Sequence, residues 1–153
     1  MRGLWESAVK SAKQHLKHVL NNIFPAYEEF YTLTTQIESI LNSRPLYPLS
    51  TDPKDYTPLT PGHFLVGEAL NCIPQECPAI EGTHLSRYEH FQRIIHHFWK
   101  RWSHDYLHLL QQRTKWRFVK DVPALEGSLV LLKDDNTSPQ AWPMGRIIDV
   151  QMD

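Results

Sequence analysis

The chain of 153 residues has little of several features that mark common classes of protein. Its two cysteines, Cys72 and Cys77, are too few for the disulfide framework of small secreted proteins, which favours a reducing compartment. No apolar run approaches the ~20 residues of a membrane-spanning helix, and the N-terminus lacks the apolar core of a signal peptide. We therefore expect a protein that is neither secreted nor inserted in a membrane.

Motifs of two common kinds of chemical site are also missing. No Gly-x-Ser-x-Gly run is present, so the turn that exposes a nucleophilic serine in many hydrolases is not expected. His104 and His108 lie one helical turn apart, with the two cysteines upstream, but nothing fixes the two pairs at the spacing of zinc ligands. We predict that the isolated chain holds no metal, needs no cofactor and has no small-molecule substrate.

The net charge of −1 excludes a uniformly basic nucleic-acid binder, yet the charge is segregated along the chain. Residues 87–117 carry seven lysines and arginines against two acids, together with five histidines. Basic side chains interleaved with tryptophan and tyrosine are typical of surfaces that track a nucleic-acid backbone. In the alternative, the aromatic residues fill a core and the basic ones are only solvated. We expect Phe98, Trp99 and Trp102 to be buried, because they lie on an apolar stripe.

Spacings of three and four between apolar residues predict two amphipathic helices, over residues 4–23 and 26–43. Their apolar faces should pack together. The first helix has an apolar stripe of Val9, Ala12, Leu16, Val19 and Ile23, and a separate polar stripe of Glu6, Lys10, Lys13 and Lys17. The apolar face of the second consists of Phe30, Leu33, Ile37 and Leu41.

The remainder of the chain divides into a connector, a helical stretch and a short β segment. Residues 44–84 hold both cysteines and most of the eleven prolines, so regular structure there should be limited to one short helix around residues 61–67. Helical spacing returns over residues 86–117. Short aliphatic runs at 127–133 and 145–150, separated by a turn-rich stretch, predict two strands of a small sheet.

Six runs of the sequence, in order, resemble a known family. They are GLWESAVKSAKQHL, IESILNSRPLYPLS, LTPGHFLVGEAL, HFWKRWSHDYLHLLQQRTKW, GSLVLLKDDN and WPMGRIIDV. Together they closely resemble the C-terminal part of the integrase region of BEL/Pao-type LTR-retrotransposon polyproteins, over nearly the whole chain. The resemblance implies an α+β fold in three parts. These are a mainly helical fragment of a ribonuclease-H-like catalytic domain (1–67), a Pro-rich linker (68–85), and a basic helical unit that ends in a small, incomplete SH3-like β module (86–153).

The resemblance also implies an origin for Glu6, which looks like the third carboxylate of an Asp, Asp, Glu set that holds two Mg²⁺ ions. In the family both aspartates precede the glutamate, whereas the five residues before Glu6 include no Asp. Two-metal strand transfer needs hard oxygen ligands around two ions about 3.5–4 Å apart. We therefore expect the isolated chain to be catalytically inactive, with Glu6 acting as a helix-start acid favoured by the helix dipole.

The function that the resemblance implies is DNA binding, associated with DNA integration by the parent polyprotein and with a nuclear location. The lysines of the first helix resemble those with which related integrases hold phosphates near the transposon end. The predicted nucleic-acid contacts are Lys10, Lys13, Lys17, Arg93, Lys100, Arg101, Arg113, Lys115, Arg117, Lys133 and Arg146. The alternative is a protein–protein interaction or self-association module, in which the apolar stripe of residues 4–23 is left exposed and pairs with another chain.

Overall fold

The computed structural model describes residues 4–21, 23–70, 87–110, 126–134 and 136–149. These residues form four helices and two small antiparallel sheets, so the fold is of the predicted α+β class. In chain order the elements are α1 (Leu4–Leu20), α2 (Tyr27–Asn42), β1 (Tyr47–Pro48), β2 (Pro58–Leu59), α3 (Pro61–Val66), α4 (Arg87–Leu110), β3 (Leu129–Leu131) and β4 (Met144–Arg146). None of the described helices is both long enough and apolar enough to span a membrane.

The helices lie where the hydrophobic spacing predicts them. α2 and α3 agree with the predicted segments to within one residue at each end, while α1 ends at Leu20, three residues before the predicted end. α4 begins at Arg87 and is described as far as Leu110, and the rest of the helix predicted to residue 117 lies outside the described residues.

A short hairpin lies in the Pro-rich segment, where the sequence predicts only α3. β1 pairs with β2 in antiparallel register, with Tyr47 opposite Leu59 and Pro48 opposite Pro58. Strands of two residues carry no alternation that a sequence could reveal, and proline is tolerated because both strands are edges. The expectation of one short helix as the sole regular structure is therefore wrong for residues 44–70.

The hydrophobic core is formed by α2 and α4. Its buried side chains are Leu33, Ile37 and Ile40 of α2 with Ile94, Ile95, Phe98, Trp99 and Trp102 of α4. The predicted burial of the three aromatic residues of α4 is therefore confirmed. Ala12, Leu16, Val19 and Leu20 of α1 pack against the same core. The expectation that the whole stripe is left exposed is therefore wrong, because α4 covers most of it, although Val9 is 37% exposed.

The β3–β4 hairpin confirms the two strands predicted near the C-terminus. Leu129 pairs with Arg146 and Leu131 with Met144, so β4 begins one residue earlier than predicted and ends at Arg146. The ordered strands are three residues each, shorter than the two predicted segments. A hairpin this small is marginal in water and needs packing against other elements.

That packing is supplied by Trp142, just before β4. Its ring centroid lies 4.7 Å from that of Trp99, 5.8 Å from Trp102 and 5.5 Å from Tyr106. Its indole N–H donates to the hydroxyl of Ser43, at the C-terminal end of α2, at 3.2 Å. The hairpin and the helices therefore share one aromatic cluster.

Candidate nucleic-acid interface

The three lysines predicted to contact DNA from α1 form one exposed stripe. Lys10, Lys13 and Lys17 are all exposed, and at about 100° per residue they fall within an arc of roughly 60° around the helix. Ala12 and Val19, which pack against the core, lie on the opposite side of the helix, while Leu16 and Leu20 flank the stripe. From Lys10 to Lys17 the stripe extends about 10 Å along the helix axis. We refer to these three residues as the lysine stripe.

Lys100 and Arg101 lie at a second basic surface. Both are exposed, and with His104 and Asp105 of α4 and His15 of α1 they line an open cleft of about 280 Å³. We call this the α1–α4 cleft. On α1, His15 is roughly 150° around the helix from the lysine stripe. Among the described residues, the lysine stripe and the α1–α4 cleft therefore lie on different sides of α1.

The one acid among the five residues of the cleft is paired. Nε2 of His15 lies 3.1 Å from Oδ2 of Asp105. His15 is nearly buried, and its ring meets that of Phe98 edge to face, with the centroids 6.2 Å apart. Lys100 and Arg101 bring two positive charges to the cleft and Asp105 one negative charge, so the net charge is positive. Protonation of either imidazole would add to it.

His96 is partly buried on α4, next to other basic residues. Its pKa lies below the ordinary histidine value, first because the ring is partly buried and then because His97 and Lys100 place positive charge nearby. The neutral imidazole is therefore favoured at this position. The basic character of the surface rests on Lys100 and Arg101, not on His96.

Two other residues that are predicted to contact DNA, Arg93 and Lys133, differ in exposure. Arg93 is partly buried, and its Nε and Nη2 atoms are shielded from solvent without a hydrogen-bond partner among the described residues. Lys133 is exposed beyond β3 and, with His104 and His108, lines a mainly apolar cavity of about 510 Å³. The predicted contacts Arg113, Lys115 and Arg117 lie outside the described residues.

Arg146 is engaged within the protein. Its Nη1 donates to the carbonyl of Gly127 at 2.8 Å, and its Nη2 donates to the carbonyls of Asp52 at 2.8 Å and Asp55 at 2.9 Å, with that of Ser50 at 3.3 Å. These bonds tie the turn between β1 and β2 to the β3–β4 hairpin. Arg146 thus has an internal structural role, and its contact with DNA stays a prediction.

Glu6 lies near the start of α1, as the sequence predicts, and its side chain lies outside the described part of the structure. Within the described ranges, no group of three or more His, Cys, Asp or Glu side chains is placed to hold a metal ion. The rings of His104 and His108 have centroids 4.4 Å apart, while both cysteines fall outside the described residues. The catalytic origin of Glu6 stays a prediction.

Two polar contacts between helices have no local signal in the sequence. One is the His15–Asp105 pair, which depends on the packing of α1 on α4. The other joins Arg87, at the start of α4, to the Glu29 carboxylate through two guanidinium nitrogens, across 58 positions of sequence. Arg87 lowers the pKa of Glu29, and the Ala26 N–H contributes to the same shift. Only the tertiary fold brings these residues together.

Comparison with known proteins gives a match to the C-terminal part of the chain. No curated protein matches the sequence. No solved structure matches it either. Residues 86–153 match the model of a family of unknown function (DUF5641). The matched segment contains α4 and the β3–β4 hairpin, but not the lysine stripe of α1. The chain is therefore similar to this family over the part that carries four of the five residues of the α1–α4 cleft.

Proposed function

We propose that this chain binds DNA through the lysine stripe of α1. The observation that carries the proposal is the exposure of Lys10, Lys13 and Lys17 on one side of a helix whose other side packs against the core. The stripe is about 10 Å long, and four successive phosphates of one DNA strand, separated by three steps of about 3.4 Å, span about the same length of the duplex axis. Three ammonium groups over this length can reach three phosphates of a single backbone.

Binding of this kind has a defined salt dependence. Each phosphate that a lysine neutralises releases condensed counterions, so the association constant falls as salt rises. For three contacts the slope of log K against log salt is about −2.7, which is roughly a fortyfold loss between about 50 and 200 mM. Such contacts position a protein on DNA without reading its sequence.

We propose further that the chain derives from a retrotransposon integrase. In this reading α1 and α2 belong to the end of a ribonuclease-H-like domain, and the β3–β4 hairpin to the start of an SH3-like module. The six ordered runs of sequence support the proposal, as does the agreement of α1 and α2 with the predicted helices. Glu6 is then the family's third carboxylate, and the isolated chain, without the two aspartates, performs no strand transfer.

The test is fluorescence anisotropy of a labelled DNA duplex, titrated with the full chain over the same salt range. The double variant Lys10→Glu/Lys13→Glu should bind far more weakly, because it removes two of the three contacts and adds two repulsive charges. Lys54→Glu, which reverses one exposed charge in the turn between β1 and β2, is the control for a change of charge elsewhere on the surface. Absence of binding, or equal losses in the double variant and the control, would refute the role of the lysine stripe.

Self-association is a second candidate, supported by a different surface from the one that the sequence suggests. Tyr27 and Tyr31 on α2 are 79% and 65% exposed, and Phe64, Leu65 and Val66 on α3 are also well exposed. A group of exposed apolar side chains is typical of a surface that binds another protein. Light scattering after size-exclusion chromatography measures the mass directly. A mass that rises with protein concentration and is insensitive to salt would favour this function over DNA binding.

A further inference from the structure

We propose that the α1–α4 cleft is a binding site for a phosphate group, separate from the lysine stripe. The stripe and the cleft lie on different sides of α1, so a ligand in the cleft need not touch Lys10, Lys13 or Lys17. The cleft therefore adds a site that the proposed DNA-binding mode does not use. Its ligand is the phosphate of a nucleic-acid backbone or a free phosphate, which present the same oxygen chemistry.

The donors of the cleft match the ligand. Arg101 carries a planar guanidinium fork that can give two parallel hydrogen bonds to phosphate oxygens, and Lys100 adds a compact positive charge. His104 follows Lys100 by four residues and Arg101 by three, so the three side chains share one side of α4. All three are exposed and line the cleft, so their donors can turn toward a ligand.

His15 and Asp105 form the fixed part of the cleft. Asp105 keeps its negative charge, which Lys100 and Arg101 outweigh, and Nε2 of His15 holds the carboxylate at 3.1 Å. The imidazole is itself fixed against Phe98, which is fully buried in the core. His15 is thus a positioning residue, which keeps the carboxylate turned toward α1 and leaves the α4 cations to the ligand.

The size of the cleft is also suitable. Its volume of about 280 Å³ corresponds to roughly nine water molecules at about 30 Å³ each. This is room for a phosphate group together with part of the molecule that carries it. An open cleft suits a phosphate attached to a larger ligand, because the remainder of that ligand can lie outside.

The experiment has two arms, both on the full chain at fixed pH and ionic strength. In the first, inorganic phosphate is titrated while the imidazole signals are followed by NMR, with chloride as the control anion. The signals of His15 and His104 should shift to saturation, and that of His90, which is exposed on α4 but does not line the cleft, should not. Arg101→Lys keeps the charge but loses the fork, so it should weaken phosphate binding roughly fivefold.

The second arm measures duplex binding by Arg101→Lys in the anisotropy assay. If Arg101→Lys weakens duplex binding by a similar factor, the DNA backbone is the ligand of the cleft. If duplex binding is unchanged while phosphate binding is saturable, the ligand is a free phosphate. The proposal is overturned if phosphate and chloride act alike, or if Arg101→Lys binds phosphate as the wild type does. Lys10→Glu/Lys13→Glu should leave the phosphate titration intact, so the site can be confirmed even where the lysine stripe fails.

Discussion

Replacement of Arg146 tests whether this predicted DNA contact is instead a structural tie. Three of its hydrogen bonds to backbone carbonyls, those of Gly127, Asp52 and Asp55, are 2.8–2.9 Å long. A net gain of about 0.5–1.5 kcal/mol for each bond gives a total of about 1.5–4.5 kcal/mol. We expect Arg146→Ala to lower the free energy of unfolding by about 2–3 kcal/mol, since the freed carbonyls can be partly hydrated. Arg146→Lys should lose less, because an ammonium group keeps some of these bonds.

Urea unfolding followed by tryptophan fluorescence measures this loss. With the slope usual for small proteins, the midpoint of Arg146→Ala should fall by roughly 1–2 M urea. Lys133→Ala is the matched control, because Lys133 is also a predicted DNA contact of the β3–β4 region but is exposed. Its midpoint should not move. Wild-type stability in Arg146→Ala, combined with weaker DNA binding by the folded protein, would refute the structural role and restore Arg146 to the DNA-binding set.

Two further predictions concern the core and its response to pH. Phe98→Ala should lower the free energy of unfolding by about 3–5 kcal/mol in the same assay, because the Phe98 ring is fully buried. Phe64→Ala, at a side chain that is 73% exposed, should lower it by almost nothing. Similar losses for both variants would contradict the assigned core. His96 has a lowered pKa in the folded state, so its contribution to stability is present above the ordinary histidine pKa and is lost as the pH falls through the lowered value. The free energy of unfolding of His96→Gln should therefore fall less on acidification than that of the wild type. His90→Gln is the exposed control. If His96→Gln and the wild type lose the same stability on acidification, this reasoning is wrong.

Much of the helical structure could be predicted because hydrophobic periodicity is a local property. Leu33 and Ile37 are buried as their spacing indicates, and the aromatic stripe of α4 forms the core with them. The detail is less exact: Phe30, predicted on the apolar face of α2, is 42% exposed, and Ile40 is buried instead. Periodicity identifies the side of a helix that packs, while its neighbours decide how far along the helix the packing extends.

The candidate site could be predicted only in part. The lysine stripe follows from residue spacing within one helix, so the sequence is sufficient to find it. The α1–α4 cleft combines His15 with residues about 90 positions later, and Arg146 is bound to a turn more than 90 positions earlier. Composition alone puts Arg146 and Lys100 in one class of basic residues, although one is engaged by carbonyls and the other is exposed. Such differences arise from tertiary contacts, which residue type does not encode.

The shared core also determines how this chain can be divided. Similarity to the family of unknown function begins at residue 86, immediately before α4, but the buried side of α4 belongs to a core that α2 completes. A fragment from residue 86 onward would lose the α1 and α2 side chains that complete the core around Ile94 and Phe98, each large apolar side chain forfeiting up to ~1.5–3 kcal/mol of burial. Trp102 would keep its contacts with Tyr106 and Trp142. The boundary of sequence similarity is therefore not a boundary of autonomous folding. Any protein that shares only this segment must supply a different cover for α4, whether from its own chain or from a partner.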